Sequence, residues 1–274
     1  MKKRSRMKYV GINEMDFNCS DTNVLNRKPL VYPVRSVLAE KTADALILAQ
    51  EQLWSVQDKP WPVSPESVLM ALATESKCRR FQHPLCDHYA VNNAIDALSN
   101  RTPTEQQYVE VFSLALKQSL SSISYANIRG VLESAARALT GHPVCIRTTR
   151  TRVKCDRRGR SVAFVEPKDI PASLIVLWQY MADLPIGRRD VWGASVAALG
   201  LMNCHPFADG NGRLARMLFN ALVGCTSDNY IPLYDFYNCT PGGHVLRIRQ
   251  AELFDEWDDW VNFHCDIIGF MCGH

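Results

Sequence analysis

The sequence contains no apolar run long enough to cross a bilayer; its most apolar helix-like stretch, about 194–202, is far too short. Its basic start, Met1 to Lys8, is not followed by the apolar segment that a secretory signal requires. The chain is therefore expected to be soluble and cytoplasmic, or exported by a route that needs no cleaved signal. A strong charge imbalance is also missing. The formal net charge is +3, which does not by itself indicate nucleic acid or a membrane surface. The ten cysteines are scattered without a repeated CxxC pair, a pattern that favours reduced thiols, several of them core filler. Cys78, His83, Cys86 and His88 come nearest to a metal constellation, but their spacing matches no zinc module and they are read without a metal.

With 274 residues, of which 47% are hydrophobic and 22% charged, the chain can bury a full core in one large or two small domains. Residues 1–35 show no clear period and read as an arm over the body. From Ser36 the pattern is helical, with breaks at Lys59-Pro60-Trp61-Pro62, a second helix from Pro65 to about Arg80, a third from Asp87 to about Ser99, and a fourth from Pro103 to about Ser121. Ser124 is placed to cap a fifth helix that ends near Leu139, before Gly141 and Pro143.

Residues 144–166 differ in kind. Val144, Ile146, Val153, Val162, Phe164 and Val165 flank a charged, glycine-containing turn, which predicts a two-stranded hairpin. Arg147, Arg150, Arg152, Lys154, Arg157, Arg158 and Arg160 make it the strongest charge cluster in the chain. After Pro171 a helix runs to about Asp183. Another follows from Val191 to Asn203 that is apolar almost all round, and a helix without a polar face is a buried one. Two more helices are expected at about 244–254 and 256–269.

The densest chemistry lies at 205–216, His-Pro-Phe-Ala-Asp-Gly-Asn-Gly-Arg-Leu-Ala-Arg. Gly210 and Gly212 permit backbone angles closed to other residues, so a turn here can aim successive N–H groups into an anion-binding nest. From Asn211 onward, Leu214, Met217, Leu218, Ala221 and Leu222 recur at helical spacing, which puts that nest at a helix N-terminus suited to phosphate. Arg213, Arg216 and Asn220 share a sector beside the apolar stripe, so both guanidinium groups are expected to lean towards one anion. His205 can take a proton near neutral pH and Asp209 offers the hard oxygen that Mg²⁺ prefers. A base, a metal ligand and a phosphate cradle describe a phosphoryl or nucleotidyl transferase. Phe207 is expected to pack inward and anchor the loop.

The segment resembles the Fic-family pattern H-x-F-x-D/E-G-N-G-R-x-x-R at every fixed position. The resemblance implies an all-α fold, a Fic-like helical bundle with a small β-hairpin flap at about 144–166 before the catalytic core helices. It makes 124–274 the catalytic core and 36–123 a helical N-terminal extension. Fic proteins commonly move AMP from ATP to a Ser, Thr or Tyr hydroxyl of another protein. Carried over, His205 is the base and Asp209 holds Mg²⁺. Gly210, Asn211 and Gly212 bind the α-phosphate, and Arg213 and Arg216 neutralise the departing pyrophosphate. The basic flap would dock a target protein, an acidic one by charge; Arg147 is alternatively placed to reach the phosphates.

Two departures from the family qualify that picture. Many members restrain themselves with an S/T-x-x-x-E helix whose glutamate pairs with the second motif arginine, here Arg216. The segment Ala73 to Arg80 has basic residues where that acid should fall, so no such intramolecular lock is expected, leaving a separate inhibitory protein as an option. Where relatives often carry paired tyrosines near the base, this chain has His244-Val245 and, further on, Glu252. UMP, another nucleotide or phosphocholine is therefore an alternative cargo. A nucleic-acid-binding module using the basic hairpin is the alternative from another class, weakened by the absence of interleaved aromatics. A homodimer also stays open.

Overall fold

Helix α6, Val191–Cys204, is the axis of the protein: every residue in it except Met202 is buried. The computed structural model describes residues 24–56, 59–72, 79–81, 102–153, 161–184, 190–238, 240 and 243–273. In chain order these form β1 (Val24–Asn26), α1 (Glu40–Val56), α2 (Pro65–Leu72), α3 (Thr102–Ser121), α4 (Tyr125–Thr140), β2 (Ser161–Ala163), α5 (Ile170–Ala182), α6, α7 (Asn211–Leu222), α8 (Leu233–Asn238), α9 (Gly243–Phe254) and α10 (Asp258–Met271). The architecture is a helical bundle with one small sheet.

Around α6, helix α7 packs along one side, α5 and α10 along others, and α3 lies across α7. Close packing on these sides at the core axis resists displacement of α6, which matters for whatever its C-terminus carries. Helix α4 starts where the sequence implies: the Ser124 hydroxyl accepts the Asn127 N–H at 3.2 Å, and Gly141, at φ 77°, closes the other end. Gly200 has its own reason to be glycine. A Cβ there would run into the ring of Tyr32, which lies on α6 and stacks on Tyr180 at 4.7 Å.

Several expectations are corrected. The arm contributes structure, since β1 pairs in parallel with β2 in the register Val24 to Ser161 and Asn26 to Ala163. On the other side of β2 the Val153 N–H reaches the Val162 carbonyl at 2.9 Å and the Phe164 N–H reaches that of Thr151 at 3.0 Å, antiparallel. The flap is thus not an isolated two-stranded hairpin: β1 satisfies backbone groups that an open β2 edge would expose. The second helix is described over Pro65–Leu72, and residues 79–81, where it was expected to end, form a 3-10 turn; 73–78 between them lie outside the described residues. Helix α8 was not foreseen, because its six residues are too few to show a period and Pro232, just ahead of it, reads as a break although it suits a helix start. The expected third helix, 87–99, the cluster of Cys78, His83, Cys86 and His88, and the flap-tip residues Lys154, Arg157, Arg158 and Arg160 lie outside the described residues. Among the described residues, no helix is long and apolar enough to cross a membrane.

Candidate functional site

Helix α6 ends by turning His205 into the left-handed region, at φ 48° and ψ 59°, while the His205 N–H still bonds the Leu201 carbonyl at 2.9 Å. A non-glycine residue in that conformation carries a backbone cost that neighbouring contacts must hold in place. Those contacts are present. The imidazole stacks on Phe164 with centroids 3.6 Å apart and planes 10° from parallel. The Arg147 guanidinium is threaded beneath the turn, donating from Nε to the His205 carbonyl at 2.7 Å and from its other nitrogens to the carbonyls of Thr149, Val165 and Cys204. The Arg147 N–H also bonds the Pro206 carbonyl at 2.9 Å.

Burial, followed by the nearby positive charges of Arg147 and Arg27, pushes the His205 imidazole down to about 4. The ring is therefore neutral at physiological pH. It has a free lone pair for a proton, the protonation state a general base requires.

The turn beyond it is tied by Asn211, whose side-chain oxygen accepts the Phe207 N–H at 3.0 Å and whose amide donates to the Phe207 carbonyl at 2.8 Å. Phe207 is fully buried. Gly210 sits at φ 89°, so an L side chain there would be strained, and helix α7 begins with the Leu214 N–H on the Gly210 carbonyl at 2.9 Å. The N–H groups of Asn211, Gly212 and Arg213 precede that first bond and no side chain caps them. Three amides at the positive end of a buried helix make a concave site whose chemistry suits an anion, the cradle expected from the sequence. Asn211 contributes only its backbone to it, because its side chain is spent on Phe207.

Both motif arginines lie near the cradle, but each is already engaged by a protein acceptor. Arg213 donates to the Leu139 carbonyl at 2.6 Å and to the Asp209 carboxylate at 2.8 Å. Burial raises the Asp209 carboxyl, but the Gly210 N–H and Arg213 outweigh it and hold it below the usual range. Arg216 is buried, and its guanidinium makes a two-pronged pair with Glu105 of α3, with Nε to Oε2 at 3.1 Å and Nη2 to Oε1. The Tyr230 hydroxyl donates to the same carboxylate at 2.8 Å. An acid therefore sits on the second motif arginine, although not in the S/T-x-x-x-E arrangement considered from the sequence. It comes from the start of α3, which packs across α7, and not from segment 73–80. Asn220 is likewise committed, bonding the backbone of Ile231 and the Arg216 carbonyl.

The basic flap is also partly consumed. Arg147 is buried and wholly engaged with carbonyls, so it neither docks a target nor reaches phosphate. Arg150 pairs with Glu166 at 3.0 Å and with Asn26, while Arg152 is exposed on the strand paired with β2. His244 is half-buried and stacks on Tyr237, rings 4.9 Å apart and 6° from parallel, and desolvation of its imidazole takes it down to about 4. Glu252 pairs with Arg27 at 3.1 Å.

As to metal, no group of three His, Cys, Asp or Glu gathers among the described residues. One exposed carboxylate, Asp209, 67% accessible, stands beside the cradle. That donor set fits Mg²⁺, which commonly uses one or two carboxylates and fills its octahedron with phosphate oxygens and water.

Sequence reasoning missed Glu105, Arg27 and the stacking of Phe164 on His205. Thr102 and Glu105 have the T-x-x-E spacing of an ordinary helix start, so the acid reads as a cap.

Residues 122–223 match the model of the Fic/DOC family. Among solved structures, a Fic-domain-containing signaling protein from Bacteroides thetaiotaomicron aligns at 14% identity over 84% of this chain and 94% of its own, with a TM-score of 0.47. A Fic family protein from Desulfovibrio desulfuricans aligns at 13% identity over 86% of this chain and 73% of its own, also with a TM-score of 0.47. No curated protein matches the chain. The matched span runs from the cap of α4 to the end of α7 and encloses the whole His205 turn and its cradle, so residues 122–223 form a Fic-family domain.

Proposed function

We propose that this chain is a Mg²⁺-dependent protein nucleotidyltransferase that moves AMP from ATP to a Ser, Thr or Tyr hydroxyl of a target protein. Family membership carries the coarser statement, a transferase of the Fic fold. One observation supports the finer reading most: a neutral, rigidly held imidazole at the end of α6 and an uncapped helix N-terminus at the start of α7 are joined by a single tied turn.

In that reading the α-phosphate rests on the N–H groups of Asn211, Gly212 and Arg213, where charge that develops during attack is stabilised by fixed dipoles. His205 takes the proton of the attacking hydroxyl as its oxygen bonds to phosphorus and pyrophosphate departs. Arg213, near the loop surface, faces the leaving group, and Asp209 would hold Mg²⁺, which when bound offsets phosphate charge. Polyphosphate beside His205 also counters Arg147 and Arg27, making the imidazole a stronger base when substrate is bound.

The His244 and Tyr237 stack, with a buried His244 Nδ1 that lacks a hydrogen-bond partner, keeps UMP or another nucleotide as the second reading. An acidic target remains part of the proposal through Arg152 and the flap tip. The test is incubation with each labelled nucleoside triphosphate, Mg²⁺ and candidate proteins. Label transfer from ATP is expected, falling on the order of 10²–10⁴-fold in His205→Ala. Transfer that survives His205→Ala, or none from any nucleotide, would refute the reading.

A further inference from the structure

The His205 ring is held through a relay that begins outside the family-matched span. Arg27, just after β1, places its guanidinium carbon 4.8 Å from the centre of the Phe164 ring, the same ring that stacks on His205. Arg27 is itself fixed from three directions: its N–H bonds the Ala163 carbonyl at 2.8 Å, Nη1 reaches the Met202 carbonyl at 3.4 Å, and Nη2 pairs with Glu252 of α9 at 3.1 Å. Only 9% of the Arg27 side chain and 5% of the Glu252 side chain are accessible. A surface arginine would not be desolvated in this way without partners; here the Glu252 side chain and the Met202 carbonyl supply them.

We propose that Arg27 is a positioning residue for His205, acting through Phe164, and that Glu252 holds Arg27 in place. A cation over an aromatic face restrains the ring, and a restrained ring parallel to the imidazole restrains the imidazole. The contact needs β1, because the backbone pairing of residues 24–27 with the flap delivers Arg27 to Phe164. The N-terminal arm is thereby part of the catalytic apparatus. It sets the direction in which the base points without touching substrate. The catalytic consequence rests on the transferase reading, whereas the geometric one does not.

The test separates the two. In the full-length chain with labelled histidine, the ring-proton signals of His205, identified among the seven histidines by their loss in His205→Gln, report the stacking through the ring current of Phe164. Arg27→Met keeps the aliphatic stem and removes the cation. The expected result is a displacement of the His205 signals in the direction produced by Phe164→Leu, together with a fall in kcat of about 10-fold and an unchanged KM for ATP, the pattern of a misdirected base. Signals that stay in place in Arg27→Met overturn the proposal whatever the activity does, because a merely structural arginine would lower the melting temperature without moving that ring. Should Arg27→Met fail to fold, Glu252→Gln, which keeps shape and weakens the grip on Arg27, is read instead: a smaller displacement in the same direction supports the relay and none overturns it. A wild-type chain that transfers no label defeats the transferase reading and leaves the ring signals to decide the positioning role alone.

Discussion

Glu105→Gln is expected to lower the stability of the nucleotide-free chain by about 3–5 kcal/mol and, at the same time, to raise both the affinity for ATP and the rate of label transfer. Glu105 is fully buried and Arg216 is 8% accessible, so each charge survives in the core only through the other. Burial pulls the Arg216 guanidinium down, yet Glu105 more than offsets it and carries the group above the ordinary arginine range. Removing the carboxylate charge leaves a buried guanidinium facing a neutral amide and the Tyr230 hydroxyl, which is the source of the stability loss. The same guanidinium lies beside the cradle, since a Cβ at Gly212 would come within 3.4 Å of Arg216 Nη1. A polyphosphate seated there must compete with Glu105 for it. In the variant that competition is gone, and the phosphate becomes the missing counter-charge. Thermal melts with and without ATP and Mg²⁺ check this directly, because a ligand stabilises by an amount that grows with its affinity. The upshift produced by ATP should be larger in Glu105→Gln than in wild type. An equal or smaller upshift would mean that the pair supports the arginine and does not restrain it.

That acid illustrates what a sequence exposes and what it hides. The periodicity of α6 and α7 and the capping of α4 are local properties, written in residues three or four apart, and they are readable as such. The cradle is local too, because Gly210 and the helix that follows it are neighbours in the chain. The pair of Glu105 with Arg216 joins residues 111 positions apart and depends on where α3 crosses α7. Nothing in Thr102-Pro103-Thr104-Glu105 distinguishes it from a helix start. Arg27 was hidden for the same reason: it belongs to a stretch without period, and its partners, Phe164, Met202 and Glu252, come from three remote segments. The acceptors that hold Arg213 and Arg216 in the nucleotide-free chain were hidden differently. Helical geometry does place them in one sector, but side chains go to the nearest strong acceptors, and these were the Leu139 carbonyl and Asp209 for one and Glu105 for the other.

Acid should open this fold from behind the same arginine. His264 of α10 is fully buried, and its Nδ1 lies 2.9 Å from the Trp260 carbonyl, which can only accept. Nδ1 therefore carries the proton, and Nε2 accepts from the Tyr237 hydroxyl at 3.1 Å. The ring also stacks on Phe219 of α7, three residues beyond Arg216, with centroids 4.6 Å apart. Burial holds His264 down to about 3. The unfolded chain protonates this histidine near 6.5, so between about 6.5 and 3 the unfolded state binds the extra proton and stability is lost as pH falls. At about 1.4 kcal/mol per pH unit, the loss from this one group is roughly 2 kcal/mol by pH 5 and on the order of 4–5 kcal/mol by pH 3. His205 and His244, each held to about 4, act in the same sense. Glu252 acts in the opposite one: burial raises it to about 7, so the folded chain keeps a proton that the unfolded chain releases, and stability from this group grows as pH falls from about 7 to the ordinary glutamate range. Asp190, raised by burial, sides with Glu252, while Glu110 and Asp209, held low, side with the three histidines, and the balance is a net acid lability. Urea unfolding at pH 7, 6 and 5 should show wild type losing stability more steeply than His264→Gln, which keeps one donor and one acceptor but does not titrate. Other acidic and basic groups contribute equally to both proteins, so parallel pH profiles would exclude His264 as a source of the lability. A steeper wild-type profile accompanied by early loss of ATP binding would tie the effect to α7, where Phe219 backs the turn of helix that bears Arg216.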